Sequence, residues 1–437
     1  MTEAGNNYSE KKTQLHISVR NLVEFIFREG DIDNRSSRAM SADAMMEGTR
    51  IHRKIQGSMG KEYQAEVPLS LVVEGDLYEL TVEGRADGIF TEDGKCFVDE
   101  IKGMYRRVEL FEKPVFVHRA QAMCYAYIFA LQNNMETIGI QMTYCNLETE
   151  QTKYFREEFS FEEIKKWFDD LMEEYGKWAT FQCEIKNQRQ TSIKELDFPF
   201  EYRPGQKKLV SDVYRTIMRR KLLFMQAPTG VGKTISTIFP AVKAVGEELA
   251  DRIFYLTAKT ITATVAKETF ALLQKNGYRA KTIQITAKEK LCPCDEMECN
   301  PVTCPYAKGH FDRVNDAVFD LLHRCEMIER DDILSQADRY TVCPFELCLD
   351  TASWCDNIIC DYNYVFDPNV YLKRFFQEGI KGDYIFLIDE AHNMVERSRQ
   401  MYSAQIYKED FLTVKRIMKE HSHSIEKALE KCNKILL

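Results

Sequence analysis

The sequence predicts an α/β protein made of two successive units. In the first, strand and helix patterns alternate between residues 15 and 150; in the second, a glycine-rich loop lies between a strand pattern and a helix pattern near residue 230. The 437 residues are 44% hydrophobic and 29% charged, with 20 glycines and 11 prolines. This composition argues against disordered, collagen-like and coiled-coil classes and leaves room for two or three domains.

Charge and hydropathy restrict the possible partners. The formal net charge is -9, so no global basic field indicates nucleic acid, although a local groove can be basic on an acidic protein. No apolar run approaches the roughly 18 to 20 residues of a membrane span, and the first residues lack a signal-peptide core. We therefore expect a soluble, cytoplasmic protein without a membrane partner.

The first unit is predicted to combine helices with a strand meander. Residues 15–60 have a helical pattern that places Gly48, His52 and Gln56 on one face, because they are four positions apart. From Glu66 onward, alternating residues predict antiparallel strands, with a turn at residues 91–94. A helix over 118–132, a strand QMTYCNL and an amphipathic helix over 161–178 follow.

The second unit is predicted to be a parallel nucleotide-binding domain. The polar, aperiodic stretch from Lys186 to Pro204 suggests a boundary, which gives a first domain at 1–180, a linker at 181–202 and a second domain at 203–437. The second domain should begin with a helix over 206–220 and a strand LLFMQ over 222–226. The loop APTGVGKT, a helix, the strand RIFYLT and later the strand YIFLI complete the order.

The loop APTGVGKT is close to the Walker A pattern, with an alanine in place of the first glycine. Backbone N–H groups of such a loop surround phosphates at a helix N-terminus. Lys233 would reach the β and γ phosphates of ATP, and Thr234 would ligate Mg²⁺. The predicted loop residues are Ala227, Pro228, Thr229, Gly230, Val231, Gly232, Lys233 and Thr234.

A second acidic motif, DEAH, follows the strand YIFLI. At the carboxyl end of a parallel strand, Asp389 can complete the Mg²⁺ shell and Glu390 can orient the attacking water. Asp389 is 156 positions beyond Lys233, which leaves room for an extra module between the two motifs.

Together, APTGVGKT and DEAHN resemble superfamily 2 helicases, in particular the XPD/DinG family, which carries an iron-sulfur insertion between these motifs. The resemblance implies a RecA-like fold for the second unit. It also implies that Arg203 and Gln206 of YRPGQ lie near the adenine, that LTAKT (256–260) touches the nucleic-acid backbone and that His392 supports the acidic motif.

The cysteines are concentrated in one region. Of 14 cysteines, nine fall within 69 residues: Cys292, Cys294, Cys299, Cys304, Cys325, Cys343, Cys348, Cys355 and Cys360. A disulfide framework suits short secreted chains, so metal or cluster ligation is the better interpretation. Four thiolates suit either a tetrahedral zinc ion or an iron-sulfur cluster, and spacing alone does not separate the two.

The resemblance favours the cluster. The strings KEKLC, CNPVTCPYAKG and VCPFELC look like the XPD/DinG layout, with an insertion over 286–350. The family then implies that a 4Fe-4S cluster is held by Cys292, Cys299, Cys304 and Cys343. Cys294 and Cys348 are alternatives for the first and last positions, and the remaining three thiols are expected to be buried.

A second constellation lies in the first unit. Asp87 is on one predicted strand, while Glu100 and Lys102 lie on the same face of the next and Asp99 lies on the opposite face. Two carboxylates and an ammonium across a hairpin can bind Mg²⁺ or Mn²⁺ and position a water for phosphodiester attack. A hairpin with ordinary surface charges is the alternative.

Three further residues strengthen this constellation. His52 lies within G-x3-H-x3-Q upstream, and Gln121 and Tyr125 form Q-x3-Y downstream. The ordered set resembles the RecB/Cas4-like branch of PD-(D/E)XK nucleases, which implies a restriction-endonuclease-like fold. In that family the matching His, Asp, Glu and Lys form the metal site, and the Gln and Tyr support it.

The combined interpretation is an ATP-dependent DNA helicase fused to a nuclease, serving DNA repair or processing. The family implies 5′ to 3′ translocation on single-stranded or forked DNA. Only 45 residues follow His392, and residues 395–437 are expected to start a helical, arch-like segment. We therefore expect an incomplete motor whose second RecA-like domain is supplied elsewhere, and which alone binds ATP but hydrolyses it poorly and does not unwind duplexes.

Two alternative functions remain. One is a non-motor DNA-binding module in which ATP acts as a switch and the nuclease unit is degenerate. The other is a metabolic P-loop enzyme that acts on a small molecule. Intact ATP binding with neither DNA cleavage nor a role for Glu390 would favour the first. Lack of affinity for single-stranded DNA across a salt series would favour the second.

Overall fold

A computed structural model describes residues 12–35, 42–60, 62–228, 230–258, 260–377 and 380–436, except the side chains of 42–45 and 260. Two β-sheets, each packed against helices, occupy successive parts of the chain. The predicted α/β fold class is confirmed. No helix among these residues is both long and apolar enough to cross a bilayer.

The first sheet is mixed. In chain order its unit contains β1 (Thr13–Ser18), α1 (Val19–Ile26), α2 (Ala42–Ser58), β2 (Gln64–Glu74), β3 (Tyr78–Glu92), β4 (Lys95–Met104), a 3-10 turn (Val108–Leu110), α3 (Phe116–Gln132), β5 (Thr137–Asn146), β6 (Thr152–Ser160) and α4 (Phe161–Glu195). The strand order is β1-β3-β4-β5-β6, with β2 also paired to β3. β1 and β3 are parallel, as are β4 and β5, and the other pairs are antiparallel.

The predicted meander corresponds to β2, β3 and β4, and its alternation accounts for the packing. Val82 and Ala86 of β3 and Val98 of β4 are fully buried, because α1, α3 and α4 cover the same sheet face. The prediction of a helix from residue 15 was wrong at its start. Residues 13–18 pair in parallel with residues 78–83 of β3, on the side of β3 opposite β2, and this pairing completes their backbone hydrogen bonds.

Helix α4 corrects the predicted linker. It begins at Ser160 with a capping box to Glu163 and runs for 35 residues to Glu195, through much of the stretch 181–202 that polarity suggested was a linker. The helix continues because Phe181 packs with the second unit and Ile193 packs against α6. One face therefore stays apolar within a sequence that is polar on average.

The second sheet is wholly parallel among the described residues. Its unit contains α5 (Gln206–Met218), α6 (Lys233–Gly246), β7 (Arg252–Thr257), α7 (Thr260–Lys275), β8 (Thr282–Gln284), α8 (Lys288–Leu291), α9 (His310–Arg324), β9 (Met327–Ile328), α10 (Arg330–Tyr340), α11 (Pro344–Ala352), β10 (Asn357–Asp361), α12 (Asn363–Phe366), α13 (Lys373–Phe376), β11 (Tyr384–Ile388), a 3-10 turn (Ala391–Asn393), α14 (Met394–Met401), α15 (Lys408–Met418) and α16 (His423–Ile435). The strand order is β11-β7-β10-β8-β9.

The predicted strand at 222–226 is absent from this sheet. Residues 221–228 are described and form no strand, and the side chains of Leu222 and Phe224 are 89% and 88% exposed. β11 is consequently the edge strand, and Phe386 is partly exposed. The apolar run was a sound strand pattern, but a strand exists only where a neighbour accepts its backbone hydrogen bonds.

Candidate functional site

The predicted acidic residues of the first unit converge at the junction of β3 and β4. Asp87 Oδ2 accepts the backbone N–H of Ile101 (2.7 Å), and Asp87 Oδ1 lies 3.5 Å from His52 Nδ1. Gln56, one turn after His52 on α2, donates to the carbonyl of Asp87 (2.9 Å). Helix α2 is therefore fixed against β3 by two side chains of the predicted G-x3-H-x3-Q pattern.

Glu100 is the most buried member of this group. Its side chain is 1% exposed, and burial raises the pKa of its carboxyl to about 8, although the nearby Lys102 ammonium acts in the opposite direction. Lys102 Nζ lies 2.6 Å from Oε1 of Glu100. The other oxygen, Oε2, is buried without a hydrogen-bond partner, which leaves an unsatisfied acceptor in the site.

The donor set around Glu100 fits a divalent cation in its chemistry, since hard oxygen ligands and one imidazole suit Mg²⁺ or Mn²⁺. Within the described part of the chain, no three His, Cys, Asp or Glu side chains are arranged closely enough to hold a metal ion. The side chains of His52 and Asp87 are in contact, and Lys102 takes the position beside Oε1 of Glu100.

Helix α3 contributes Gln121 and Tyr125 to the surroundings of Glu100 and Lys102. Gln121 Oε1 accepts from Lys102 Nζ (3.3 Å), and the Tyr125 hydroxyl lies close to Gln121. A Cβ at Gly84 would meet this hydroxyl at 2.6 Å, so a larger residue at this position of β3 would displace Tyr125. Gln121 thus reaches Glu100 through Lys102.

Two features of this region lie outside the sequence prediction. His118, one turn before Gln121, accepts at Nδ1 or donates to the Tyr144 hydroxyl (3.2 Å), and Tyr144 is the register partner of Lys102 on β5. On the other sheet face, buried Asp99 accepts from Thr143 (2.6 Å) and from Tyr63 (3.0 Å). The sequence placed Asp99 on that face but carried no signal for its partners.

The phosphate loop of the second unit leads into α6. Gly230 and Gly232 have φ values of +82° and +75°, which a side chain would strain. A Cβ at Gly232 would also lie 2.7 Å from Gln206 Nε2. Lys233 and Thr234 form the first turn of α6, so the free N–H groups of that helix face the loop. Thr229 and Lys259 lie outside the described residues.

The loop is braced by the YRPGQ segment. The side chain of Gln206 is buried and donates to the carbonyl of Val231 (3.2 Å), while its Oε1 accepts the N–H of Arg203 (3.0 Å). The Arg203 guanidinium hydrogen-bonds the carbonyl of Gly230. Both residues contact the phosphate loop directly.

The DEAH motif lies beside this loop at the end of β11. The N–H of Asp389 donates to the carbonyl of Leu256 (2.9 Å), which continues the pairing of β11 with β7. The buried Tyr255 on β7 lies close to both Thr234 and Asp389, and burial together with the charge of Asp389 raises the pKa of its hydroxyl. The two residues predicted to ligate Mg²⁺ therefore lie beside the same tyrosine.

Glu390 is held in an unusual conformation. Its φ is +49°, and its N–H donates to Asp389 Oδ1 (3.0 Å) while Asn393 Nδ2 donates to its carbonyl (3.0 Å). A non-glycine residue in this region costs on the order of 1 kcal/mol. His392 Nδ1 lies 3.3 Å from Glu390 Oε2, and the Tyr362 hydroxyl donates to the Asp389 carbonyl.

Five cysteines line one cavity between α8 and α11. They are the four predicted ligands and one alternative: Cys292, Cys294, Cys299, Cys304 and Cys343. Cys294 Sγ lies 3.8 Å from Cys304 Sγ, and burial raises the pKa of the Cys294 thiol to about 12 and that of Cys343 to about 11.

The other cysteines of the stretch 292–360 lie outside this cavity. Cys348, the alternative for the last position, is fully buried in the apolar core, as are Cys355 and Cys360. The thiol donor set of the cavity fits an iron-sulfur cluster, whose ligands are cysteine thiolates. Of the two alternatives for the last ligand, Cys343 lines the cavity and Cys348 does not. Both alternatives for the first ligand, Cys292 and Cys294, line it.

Comparison with known proteins points to helicases. Residues 267–411, which contain the cysteine cavity and the DEAH motif, match the family described as DEAD_2. The regulator of telomere elongation helicase 1 of Rattus norvegicus is 20% identical over 46% of this chain and 19% of its own length. The helicase subunit XPD/RAD3 of general transcription and DNA repair factor IIH from Saccharomyces cerevisiae is 23% identical over 46% of this chain and 30% of its own.

The match to a solved structure described as truncated XPD covers 52% of this chain and 64% of the chain in that structure. The two are 16% identical, with a TM-score of 0.36. The matched region spans between about a fifth and a third of the two curated relatives. The chain is therefore similar in sequence to helicases of the XPD family, and the DEAD_2 match covers the part that contains its cysteine cavity and its DEAH motif.

Proposed function

We propose that this chain is the ATP-binding part of a DNA helicase of DNA repair or processing, with a 4Fe-4S cluster in the cysteine cavity and single-stranded or forked DNA as its substrate. The observation that carries the proposal is the position of the DEAH motif beside the phosphate loop, with Asp389 paired to β7 and Tyr255 of β7 close to both Thr234 and Asp389. The sequence similarity to XPD-family helicases supports it. Movement from 5′ to 3′ is part of the proposal.

Each group has a task in this proposal. The loop N–H groups at α6 and Lys233 bind the phosphates, and Thr234 and Asp389 hold Mg²⁺, which would neutralise phosphate charge. Glu390, at the solvent-facing end of β11, orients the attacking water. Arg203 and Gln206 fix the loop on the side where the base would lie.

The test is equilibrium ATP binding in the presence of Mg²⁺ by wild type and Lys233→Ala. Loss of one charge-assisted contact is expected to weaken ATP binding by about ten- to a hundredfold. Lys221→Ala, in the exposed segment before the loop, is the control and should bind like wild type. Equal affinity of Lys233→Ala and wild type would contradict the proposal.

We further propose that the first unit cleaves DNA in a metal-dependent reaction. The buried, partnerless Oε2 of Glu100 supports this proposal, since the Glu100 carboxyl also interacts electrostatically with Asp87 and His52. When bound, Mg²⁺ or Mn²⁺ would supply Lewis-acid activation of water and phosphate. Asp87, Glu100 and His52 would hold the cation, while Lys102, positioned by Gln121, would contact the phosphate.

Cleavage is tested with labelled single-stranded DNA and Mg²⁺ or Mn²⁺. Asp87→Ala and Lys102→Ala should each abolish the activity. Equal residual cleavage in both variants would show that the activity belongs to a contaminant, and the degenerate, non-cleaving unit would then be the correct description.

A further inference from the structure

The segment Arg28–Asn34 leaves the first unit after α1 but lies against the cysteine module, defined as residues 288–352. Ile32 and Asn34 line the same cavity as the five cysteines. The segment also precedes α2, which carries His52 and Gln56. The first unit therefore contributes one wall of the cysteine cavity, although its sequence is more than 250 positions away.

Backbone pairing fixes this wall on two sides of the cavity. The N–H of Ile32 donates to the carbonyl of Ala307 (2.9 Å), and the N–H of Asn34 donates to the carbonyl of Cys299 (2.9 Å). Further along, the N–H of Phe311 donates to the carbonyl of Gly30 (3.0 Å). The backbone beside two of the predicted ligands, Cys299 and Cys304, is thus held by the first unit.

Carboxylates reinforce the contact in both directions. Asp31 Oδ1 accepts the N–H of Gly309 (2.6 Å), and Asp312 Oδ1 accepts the N–H of Gly30 (2.7 Å). Arg28 closes the far end through an ion pair with Asp350 (2.9 Å), whose side chain is largely buried. Charge-assisted hydrogen bonds of this kind are shorter and stronger than neutral ones.

Asp31 is connected to a predicted ligand through α9. Gly309 is the residue before α9, and its φ of +60° sets the direction of the helix. The first residue of α9, His310, is fully buried, and its Nδ1 accepts the N–H of Cys343 (3.1 Å). A carboxylate of the first unit therefore holds the end of α9 that positions the backbone of Cys343.

We propose that Asp31, Ile32 and Asn34 are part of the cysteine site and that Asp31 is a positioning residue for it, so that a thiolate-bound metal centre in the cavity is held jointly by both units. This inference rests on the proposed metal centre. It assigns to the first unit a role in the cavity that is independent of DNA cleavage.

The experiment uses the full chain loaded anaerobically with iron and sulfide. Wild type, Asp31→Ala, Asp31→Asn and Asp33→Ala are compared for iron content, absorbance near 400 nm and the rate of iron loss to a chelator. Asp31→Ala should lose iron about tenfold faster, as expected for an outer residue of a metal site. Asp31→Asn retains an Oδ1 acceptor and should restore most of the wild-type rate.

Asp33→Ala is the matched control, because Asp33 lies on the same segment and pairs with Arg35 two residues away (2.7 Å). It should behave like wild type. Hydrogen exchange of the peptide over residues 28–35 should slow on loading in wild type and not in Asp31→Ala. Equal rates of iron loss in Asp31→Ala and wild type would overturn the inference, as would hydrogen exchange of this peptide that does not change when wild type is loaded. If wild type binds neither iron nor zinc, the proposed metal centre itself is wrong, and the inference falls with it.

Discussion

The acidic site of the first unit and the nucleotide site of the second both place two carboxylates at a β-sheet, yet they differ in how completely the fold encloses them. Glu100 lies on β4, which has β3 on one side and β5 on the other, and its side chain is 1% exposed. Glu390 follows the edge strand β11, and its side chain is 43% exposed. An interior strand fixes its carboxylate before any ligand binds, whereas an edge strand leaves it open.

The same contrast extends to the neighbours of each site. The Lys102 side chain contacts those of both Glu100 and Gln121, while the chain before the phosphate loop, from Leu222 to Met225, is exposed and unpaired. The first site is therefore assembled by packing within one unit. The second has a braced loop and a braced DEAH motif, but one side faces solvent.

The largest expected effect is that Glu100→Gln and Glu390→Gln each remove a different activity, DNA cleavage in the first case and ATP hydrolysis in the second. Glu100→Gln removes the buried carboxylate and should lower metal-dependent DNA cleavage by at least about 100-fold, while ATP hydrolysis in single-turnover conditions is unchanged. Glu390→Gln should do the reverse. Parallel cleavage and ATP assays on both variants check this, and loss of both activities in either variant would mean that the two regions are not independent.

A second comparison concerns stability. Phe254 is fully buried and packs against the rings of Phe375 and Tyr384, so Phe254→Ala should reduce the free energy of unfolding by about 3–5 kcal/mol. Phe224 is 88% exposed, so Phe224→Ala should change it by less than about 0.5 kcal/mol. Urea unfolding of both variants provides the measurement. A cost above about 2 kcal/mol for Phe224→Ala would show that the segment packs in solution.

The smallest effect is a dependence on pH from His118. Burial, assisted by the charge of Lys102, lowers the pKa of its imidazole to about 4, below the usual value of about 6.5. Between these values the unfolded chain binds more protons, so the contribution of His118 to stability is present above pH 6.5 and is lost as pH falls towards 4. Its loss between pH 7 and pH 5 should be about 2 kcal/mol.

His118→Gln should remove this part of the pH dependence, and His421→Gln, an exposed histidine in the turn between α15 and α16, should not. Urea unfolding at pH 7 and pH 5 measures the difference. An unchanged pH dependence in His118→Gln would show that the neutral imidazole does not stabilise the first unit.

The sequence by itself determined the class of the fold and most of its strands. Alternation defined β2, β3 and β4 because one sheet face is buried, and the glycine pattern of the phosphate loop was recognisable because few residues adopt positive φ. Period two also placed Glu100 and Lys102 on one face. These features are local, so the order of residues along the chain is enough to reveal them.

The tertiary structure decided what depends on distant neighbours. No local pattern could show that β1 pairs with β3, that residues 222–226 find no partner strand, or that the apolar face of α4 extends to Glu195. The same holds for Asp389, whose N–H donates to Leu256 of β7, and for Asp31 at the N-terminus of α9. Each of these contacts joins residues far apart in sequence, and only folding brings their donors and acceptors within hydrogen-bond distance.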